Sequence, residues 1–252
     1  MNKPTFLNHD HPLLTVMVQA QTPDRVLELV NKSYPLGAEA FGMQLCKLPP
    51  EHRNEETCRK LFSSTYGLPV YVTNYRSAQN EGKSDDQLAR ELITYAKYGA
   101  TLCDVMGDYF CKAEDEFTHD PEAVKKQVEL IAALHDAGAE VLMSSHTHAK
   151  TPADRVLEIA LGQQERGADI CKIVTKADTP EEEVENLRII TLLKKELKIP
   201  FLYLCGGASS HLLRRVGETL GNCTTLCVYE YDELATKVQP LLSDMRTLRG
   251  LI

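Results

Sequence analysis

AEVLMSSHTHAKTPADRVLEIALGQQERGADICKIVT, residues 139–175, predicts a strand, a helix and a second strand. The apolar runs 139–145 and 169–175 are short enough for buried strands. The segment between them begins with Thr151-Pro152, carries apolar residues at i, i+3, i+4 and i+7, and ends near a glycine, as helices do. A strand–helix–strand segment of this length is a βαβ unit with two parallel strands.

The same alternation runs along the whole chain. Dividing 252 residues by eight candidate strands gives about 31 residues per unit, the size of one β/α unit. We therefore predict a single (β/α)8 TIM barrel domain over residues 1–252. A doubly wound sheet is the structural alternative, but no GxGxxG pattern follows the first candidate strand. The candidate strands are 13–19, 38–45, 69–75, 101–106, 139–145, 169–175, 200–205 and 223–229.

Composition limits the classes of function. The formal net charge is -8, which disfavours nucleic acid as a partner because phosphate binding needs basic patches. The start, MNKPTFLNHDHPLLTV, lacks the pattern of a signal peptide, and no apolar run approaches the roughly 18 residues of a membrane span. We expect a cytoplasmic protein without a membrane partner. The 8 cysteines form no CxxC motif and are expected to be reduced core residues.

Catalytic groups of such barrels lie at the carboxyl ends of the strands, and Lys172, in the sixth candidate strand, is the strongest candidate among them. It interrupts the apolar run ICKIV, where a buried ammonium is costly unless it is paired or neutral. Burial favours the neutral amine of a lysine, which attacks carbonyl groups to form a Schiff base. A structural lysine, paired with a carboxylate inside the barrel or extended to its rim, is an equally open alternative.

His146 ends the neighbouring candidate strand, so we expect it to lie beside Lys172. A Schiff base acidifies the adjacent carbon, and histidine is suited to removing that proton near neutral pH. The pair His146 and His148 also resembles part of a zinc site, but zinc needs further ligands at other strand ends. Only His211 follows, in a segment with a helical pattern, so we expect no metal.

Two arginines near strand ends are candidates for binding an anion. Arg76 follows the third candidate strand, and Arg214 follows the seventh. Guanidinium groups bind carboxylates in a bidentate manner. Solvated surface charges are the alternative for both.

Three motifs, in order and spacing, resemble the type I 3-dehydroquinate dehydratase family. YRSAQNEG (75–82) is similar to FRSxxEGG, VLMSSHTHAKTP (141–152) to VxxSxHxFxxTP, and ADICKIV (168–174) to ADIxKIA. LLRRVGETLG (212–221) looks like the segment whose arginine holds the substrate carboxylate. The resemblance implies dehydration of 3-dehydroquinate through an imine, with no metal or organic cofactor, an oxo-acid substrate as the small-molecule partner, and a homodimer.

The resemblance also assigns roles to individual residues. Lys172 forms the imine, and His146 removes the proton and then protonates the leaving hydroxyl. Glu81 matches the glutamate of the family's loop, although that loop is one residue longer here. The expected substrate-binding residues are Arg76, Arg214, Gln239, Ser145 and Gln44.

Several family positions differ. The family's Glu-x-Arg pair at the second strand is replaced by Gly42 and Gln44, and Gly107 stands where an acid supporting the catalytic histidine is expected. Ala235 and Val238 replace a serine and a glycine near the carboxyl end. Removing groups that bind a substrate hydroxyl weakens its recognition. Two alternatives therefore stay open: a paralogue acting on another oxo acid, by dehydration or aldol cleavage, and a non-catalytic barrel that binds a metabolite.

Overall fold

A computed structural model describes residues 3–251 and contains eight parallel strands in one sheet. The strands are β1 Leu13–Val18, β2 Ala40–Gln44, β3 Val70–Thr73, β4 Leu102–Met106, β5 Glu140–His146, β6 Ile170–Lys176, β7 Phe201–Gly206 and β8 Thr224–Cys227. Their spatial order is β7-β6-β5-β4-β3-β2-β1-β8. Because β1 pairs with both β2 and β8, the sheet curls on itself, and the predicted (β/α)8 TIM barrel is confirmed.

Between β7 and β8 the barrel closes without the strand pairing that joins the other neighbouring strands. In place of a strand ladder among the described residues, the Cys223 amide donates to the Phe201 carbonyl over 2.9 Å. The Asn222 side chain accepts from the Tyr203 amide over 2.7 Å and donates to the Tyr203 carbonyl over 3.0 Å. An amide side chain thus replaces two ladder hydrogen bonds, so the backbone groups of β7 stay satisfied.

Eight α-helices alternate with the strands along residues 3–251. Most begin at a side-chain cap, as at Asn54, Asp120 and Thr179, and Ser84 forms a capping box with Gln87. The helices are α1 Pro23–Ser33, α2 Glu55–Ser63, α3 Asp85–Tyr98, α4 Pro121–Asp136, α5 Ala153–Glu165, α6 Pro180–Glu196, α7 His211–Leu220 and α8 Leu242–Arg249.

Alternation along each strand separates an inner from an outer face. The inner face holds a buried apolar cluster that includes Met17, Tyr71 and Leu202. Phe6 belongs to this cluster and meets the Tyr71 ring edge-on, with 6.4 Å between centroids. Its amide donates to Glu140, at the start of β5, over 2.8 Å. The chain before β1 therefore covers the amino-terminal end of the barrel, which leaves the carboxyl ends of the strands as the open mouth.

Six of the eight cysteines are buried and none forms a disulfide; Cys111 is exposed and Cys223 is half-buried. Burial raises the pKa of the Cys171 thiol, beside Lys172, to about 12. Cys171 is therefore a packing residue at neutral pH. Within residues 3–251, each helix is too short or too polar to cross a membrane.

Candidate active site

Lys172 lies inside the barrel with only 4% of its surface exposed. It stands between Ser144 of β5 and Leu202 of β7 in the strand register. Its Nζ donates to the Tyr75 hydroxyl over 2.7 Å, to the Tyr71 hydroxyl over 3.1 Å and to Asp104 Oδ2 over 3.2 Å. An ammonium has three N–H groups, so all three have a partner.

Asp104 is the counter-charge of Lys172 and is 1% exposed. Its Oδ1 accepts from the Ser144 hydroxyl over 2.5 Å, and its Oδ2 accepts from the hydroxyls of Tyr75, over 2.6 Å, and Tyr71. Burial, followed by the charge of Asp104, raises the pKa of both tyrosines well above 10. The tyrosines stay protonated, and a carboxylate inside the barrel does pair with Lys172.

His146 ends β5 and is paired with Val174, one step nearer the mouth than Lys172. Both side chains point to the inner face, because Lys172 and Val174 are two residues apart. His146 Nδ1 lies 2.7 Å from Glu116 Oε2, and the His146 amide donates to the same oxygen over 3.0 Å.

The Glu116 carboxyl sets the proton position on the His146 ring. Burial alone would raise the pKa of this carboxyl, but the hydrogen bonds from the His146 ring and amide outweigh burial and lower it. An ionised carboxylate only accepts, so the ring proton is on Nδ1. In the neutral ring Nε2 then carries the lone pair, and Nε2 has no hydrogen-bond partner among residues 3–251. This is the state that a general base needs.

Gly107 makes room for Glu116. A Cβ at Gly107 would lie 2.7 Å from the Glu116 carbonyl oxygen and 2.8 Å from Ser145 Oγ, which is too close. The loop 107–120 can therefore fold back over the end of β4. Arg166 holds it there, donating to the carbonyls of Gly107, over 3.0 Å, and Thr118. The expected acid at 107 is thus absent, but an acid from the following loop contacts His146.

Ser145 is not brought to the mouth of the barrel. It is fully buried on the outer face, where its hydroxyl donates to the Glu116 carbonyl over 2.9 Å and accepts from Gln163 of α5 over 3.1 Å. The expectation that Ser145 contacts substrate therefore needs correction, since an odd step along a strand reverses the face. Its inward neighbour is Ser144, which binds Asp104.

The two arginines have different surroundings. Arg76 donates to Asp85 and Asp108, each over 2.7 Å, so its three guanidinium nitrogens are all engaged. Arg214 is 7% exposed, and its Nε donates to the Cys205 carbonyl over 2.7 Å. Its two terminal nitrogens have no hydrogen-bond partner among the described residues. Burial lowers the Arg214 pKa to about 10, so it stays charged at neutral pH.

Amide side chains lie at the ends of β1, β2 and after β8. Gln19 donates to Gln44 over 2.5 Å and to Thr236 over 2.9 Å. The carbonyl oxygens of Gln19 and Gln239 are buried and have no partner within residues 3–251. Unpaired buried acceptors are costly, and a donor from a bound ligand would satisfy them.

Glu81 and His148 lie at the surface. The Glu81 side chain is exposed and makes no hydrogen bond to Lys172, His146 or another described residue. His148 is 74% exposed on its side chain, 3.6 Å from Glu116 Oε1. Among residues 3–251, no cluster of three or more histidine, cysteine or acidic side chains has the geometry to hold a metal ion.

Sequence reasoning missed Asp104, Tyr71, Glu116 and Gln19, and gave Tyr75 no role. Asp104 had the same signal as Lys172, a charge inside the apolar run TLCDVM. Opposite charges on the inner faces of β4 and β6, which are separated only by β5, suggest a buried pair. Glu116 carries no such signal, because its position depends on how the loop folds.

Comparison with known proteins places these residues in a family. The family profile described as "Type I 3-dehydroquinase" matches residues 14–251. A protein of Methanosarcina acetivorans called 3-dehydroquinate dehydratase is 25% identical over 238 residues, which cover 91% of each chain. One of the same name from Lactiplantibacillus plantarum is 27% identical over 60% of this chain, and that match spans only 57% of the relative's length.

Solved structures show the same fold. A 3-dehydroquinate dehydratase from Geobacillus kaustophilus superimposes with a TM-score of 0.81 at 16% identity, covering 96% of this chain and 91% of the other. A type I enzyme from Clostridium difficile, solved with covalently modified comenic acid, gives a TM-score of 0.79 at 15% identity, over 96% and 93% of the two chains. With the profile matching nearly the whole barrel, the chain belongs to the type I 3-dehydroquinase family.

Proposed function

We propose that this protein is a hydro-lyase that dehydrates 3-dehydroquinate to 3-dehydroshikimate through an imine on Lys172. The observation that carries the proposal is that Lys172 of β6 and His146 of β5 lie close together on neighbouring strands. A buried lysine amine lies inside the mouth, and one step above it His146 presents a free Nε2 while Glu116 binds Nδ1. Family membership supplies the substrate class.

The proposed reaction has four steps. The Lys172 amine adds to the ring ketone, and loss of water leaves a protonated imine. His146 Nε2 removes a proton from the adjacent carbon, whose electrons form an enamine. The enamine expels the hydroxyl group on the next carbon, which takes the proton from His146 and leaves as water. Hydrolysis of the conjugated imine releases the product and the lysine amine.

We assign the substrate carboxylate to Arg214. Its terminal N–H groups have no hydrogen-bond partner among the described residues, and a carboxylate could accept from both in a bidentate manner. Arg76 would have to share Asp85 and Asp108 to bind substrate, so we propose that it mainly supports the β3–α3 loop. The carbonyl oxygens of Gln19 and Gln239 would accept from substrate hydroxyls.

A second oxo acid remains a specific alternative substrate, because neutral amides replace the family's charged pair at β2. Gln44 already accepts from Gln19, so this side of the pocket offers amide groups where the family offers a glutamate and an arginine. The non-catalytic alternative was favoured by the lost acids at both β2 and β4. It loses the second of these grounds, because Glu116 contacts His146 where the acid at Gly107 is missing.

Borohydride trapping tests the proposal directly. We expect 3-dehydroquinate to label Lys172 by mass and to give the ultraviolet absorbance of the conjugated product. Lys172→Ala should abolish both, whereas His146→Ala should retain the trapped imine and lose turnover. Lys195→Ala and His119→Ala, at exposed positions, serve as controls. Turnover that survives Lys172→Ala refutes the mechanism, and trapping only with another oxo acid changes the substrate.

By family analogy, we also propose that the protein forms a homodimer. Sedimentation equilibrium would give twice the 28.2 kDa chain mass if this is correct.

A further inference from the structure

Tyr75 contacts both members of the buried ion pair. Its hydroxyl accepts from Lys172 Nζ over 2.7 Å and donates to Asp104 Oδ2 over 2.6 Å. The direct distance between Nζ and Oδ2 is longer, at 3.2 Å. The family motif FRSxxEGG has phenylalanine where this chain has Tyr75, so the hydroxyl is a feature of this chain.

We propose that Tyr75 is a catalytic residue that carries a proton between Lys172 and Asp104 during formation and hydrolysis of the imine. This inference rests on the proposed imine at Lys172. It assigns to Tyr75 and Asp104 the proton transfers at nitrogen, and leaves to His146 the transfers at carbon and at the leaving hydroxyl.

The proton balance needs no further reactant. The ammonium passes a proton to the Tyr75 oxygen as Tyr75 passes its own to Asp104, which leaves a neutral amine and a neutral carboxylic acid. The amine attacks the ketone, a C–N bond forms, and a proton moves from nitrogen to oxygen to give a carbinolamine. Asp104 then returns its proton through Tyr75 to the departing hydroxyl. Water leaves, the nitrogen lone pair forms the protonated imine, and Asp104 is again its counter-ion.

Position distinguishes Tyr75 from Tyr71. Both hydroxyls accept from Lys172 and donate to Asp104, but the contact of Tyr71 with Lys172 is longer, at 3.1 Å. Tyr71 is also 1% exposed, and its ring packs against Phe6 at the closed end of the barrel. Tyr75 is half-buried and meets the His146 ring edge-on, with 5.5 Å between centroids. Of the two tyrosines, Tyr75 is therefore the one whose ring borders the side from which a substrate enters.

The protonation state of Tyr75 agrees with this role. Burial and the nearby charge of Asp104 raise the phenol pKa well above 10. Tyrosinate is therefore not populated, and Tyr75 must gain one proton as it loses another. Proton transfer through a hydroxyl in this way is concerted, so two protons move in one step.

Single-turnover trapping measures the transfer. Enzyme and 3-dehydroquinate are mixed, quenched with borohydride at increasing times, and scored by the mass added at Lys172. We expect Tyr75→Phe to slow imine formation about 100-fold, the lower end for general acid–base catalysis. Tyr71→Phe removes a similar hydrogen bond to Asp104. The factor by which it slows imine formation should be at least ten times smaller than the factor for Tyr75→Phe. Thermal unfolding of both variants checks that the barrel is intact.

The outcomes separate this inference from the proposed function. If the unmodified protein forms imine and Tyr75→Phe forms it equally fast, Tyr75 carries no proton and only the inference fails. A protein that never traps 3-dehydroquinate or another oxo acid overturns both. Should Tyr75→Phe not fold, the proton inventory of imine formation in mixtures of H2O and D2O decides. A curved inventory shows two protons in flight and supports the relay, whereas a linear one overturns it.

Discussion

Glu116→Gln is the sharpest test of how the loop 107–120 completes the site. The glutamine keeps the shape of Glu116 and can still accept from His146 Nδ1, but it removes the negative charge 2.7 Å from the ring. In the proposed reaction His146 becomes an imidazolium after it takes the substrate proton. The charge is therefore needed after the imine has formed, and not before.

The size of the effect follows from the hydrogen bond. A hydrogen bond to a charged group contributes about 1.5–3 kcal/mol, against about 0.5–1.5 kcal/mol for a neutral one. The difference, roughly 1–2 kcal/mol, corresponds to a loss in kcat of about 5- to 30-fold at 1.36 kcal/mol per factor of ten. Rotation of the amide so that its NH2 faces Nδ1 would move the ring proton to Nε2 and deepen the loss.

The assay follows product absorbance and borohydride trapping in parallel. We expect Glu116→Gln to accumulate more trapped Lys172 than the unmodified protein at steady state, because the step after imine formation is slowed. Glu114→Gln, an exposed acid of the same loop with no side-chain hydrogen bond among the described residues, is the matched control. If both variants turn over equally fast, or if Glu116→Gln prevents the imine from forming, the reasoning is wrong.

Three further predictions concern the same site. Gly107→Ala should cost about 1–3 kcal/mol in urea unfolding and lower kcat, because the new Cβ would displace the Glu116 carbonyl. Since folding lowers the Glu116 pKa, its contribution is full above the ordinary glutamate value of 4.5 and is lost as pH falls through the folded value. The difference in Tm between the protein and Glu116→Gln should therefore shrink below pH 4.5; a constant difference contradicts it. Arg214→Met should lower kcat/KM about 30-fold or more, the effect of losing ~2 kcal/mol from a buried charge pair, while Tm holds or rises; an unchanged kcat/KM places the carboxylate elsewhere.

Much of the fold could be predicted from sequence because the barrel repeats one local pattern. Each β/α unit carries its own strand run and helix period, so every strand end was predicted to within two residues. The position of Lys172 followed from the same pattern, since one charge in an apolar strand is conspicuous. The register was harder: His146 pairs with Val174 and lies above Lys172, because neighbouring barrel strands are staggered.

The candidate site was less predictable where it depends on tertiary contacts. Gly107 looked like a lost acid when compared with a motif, but its missing side chain is what lets Glu116 approach His146. Ser145 looked like a site residue from its neighbour in sequence, and strand alternation turns it outward. Neither result is visible without knowing which loop packs against which strand.

The arrangement of the two carboxylates follows the movement of charge in the proposed reaction. The positive charge is on the imine nitrogen of Lys172 before proton abstraction, on His146 while the enamine exists, and on nitrogen again once the hydroxyl has left. Asp104 lies at one end of this path and Glu116 at the other, and each accepts hydrogen bonds from protein groups that hold it in place. Fixed charges that need no reorganisation stabilise both states of the moving charge. A single acid between the two sites could not do so, because Lys172 and His146 belong to successive levels of the barrel.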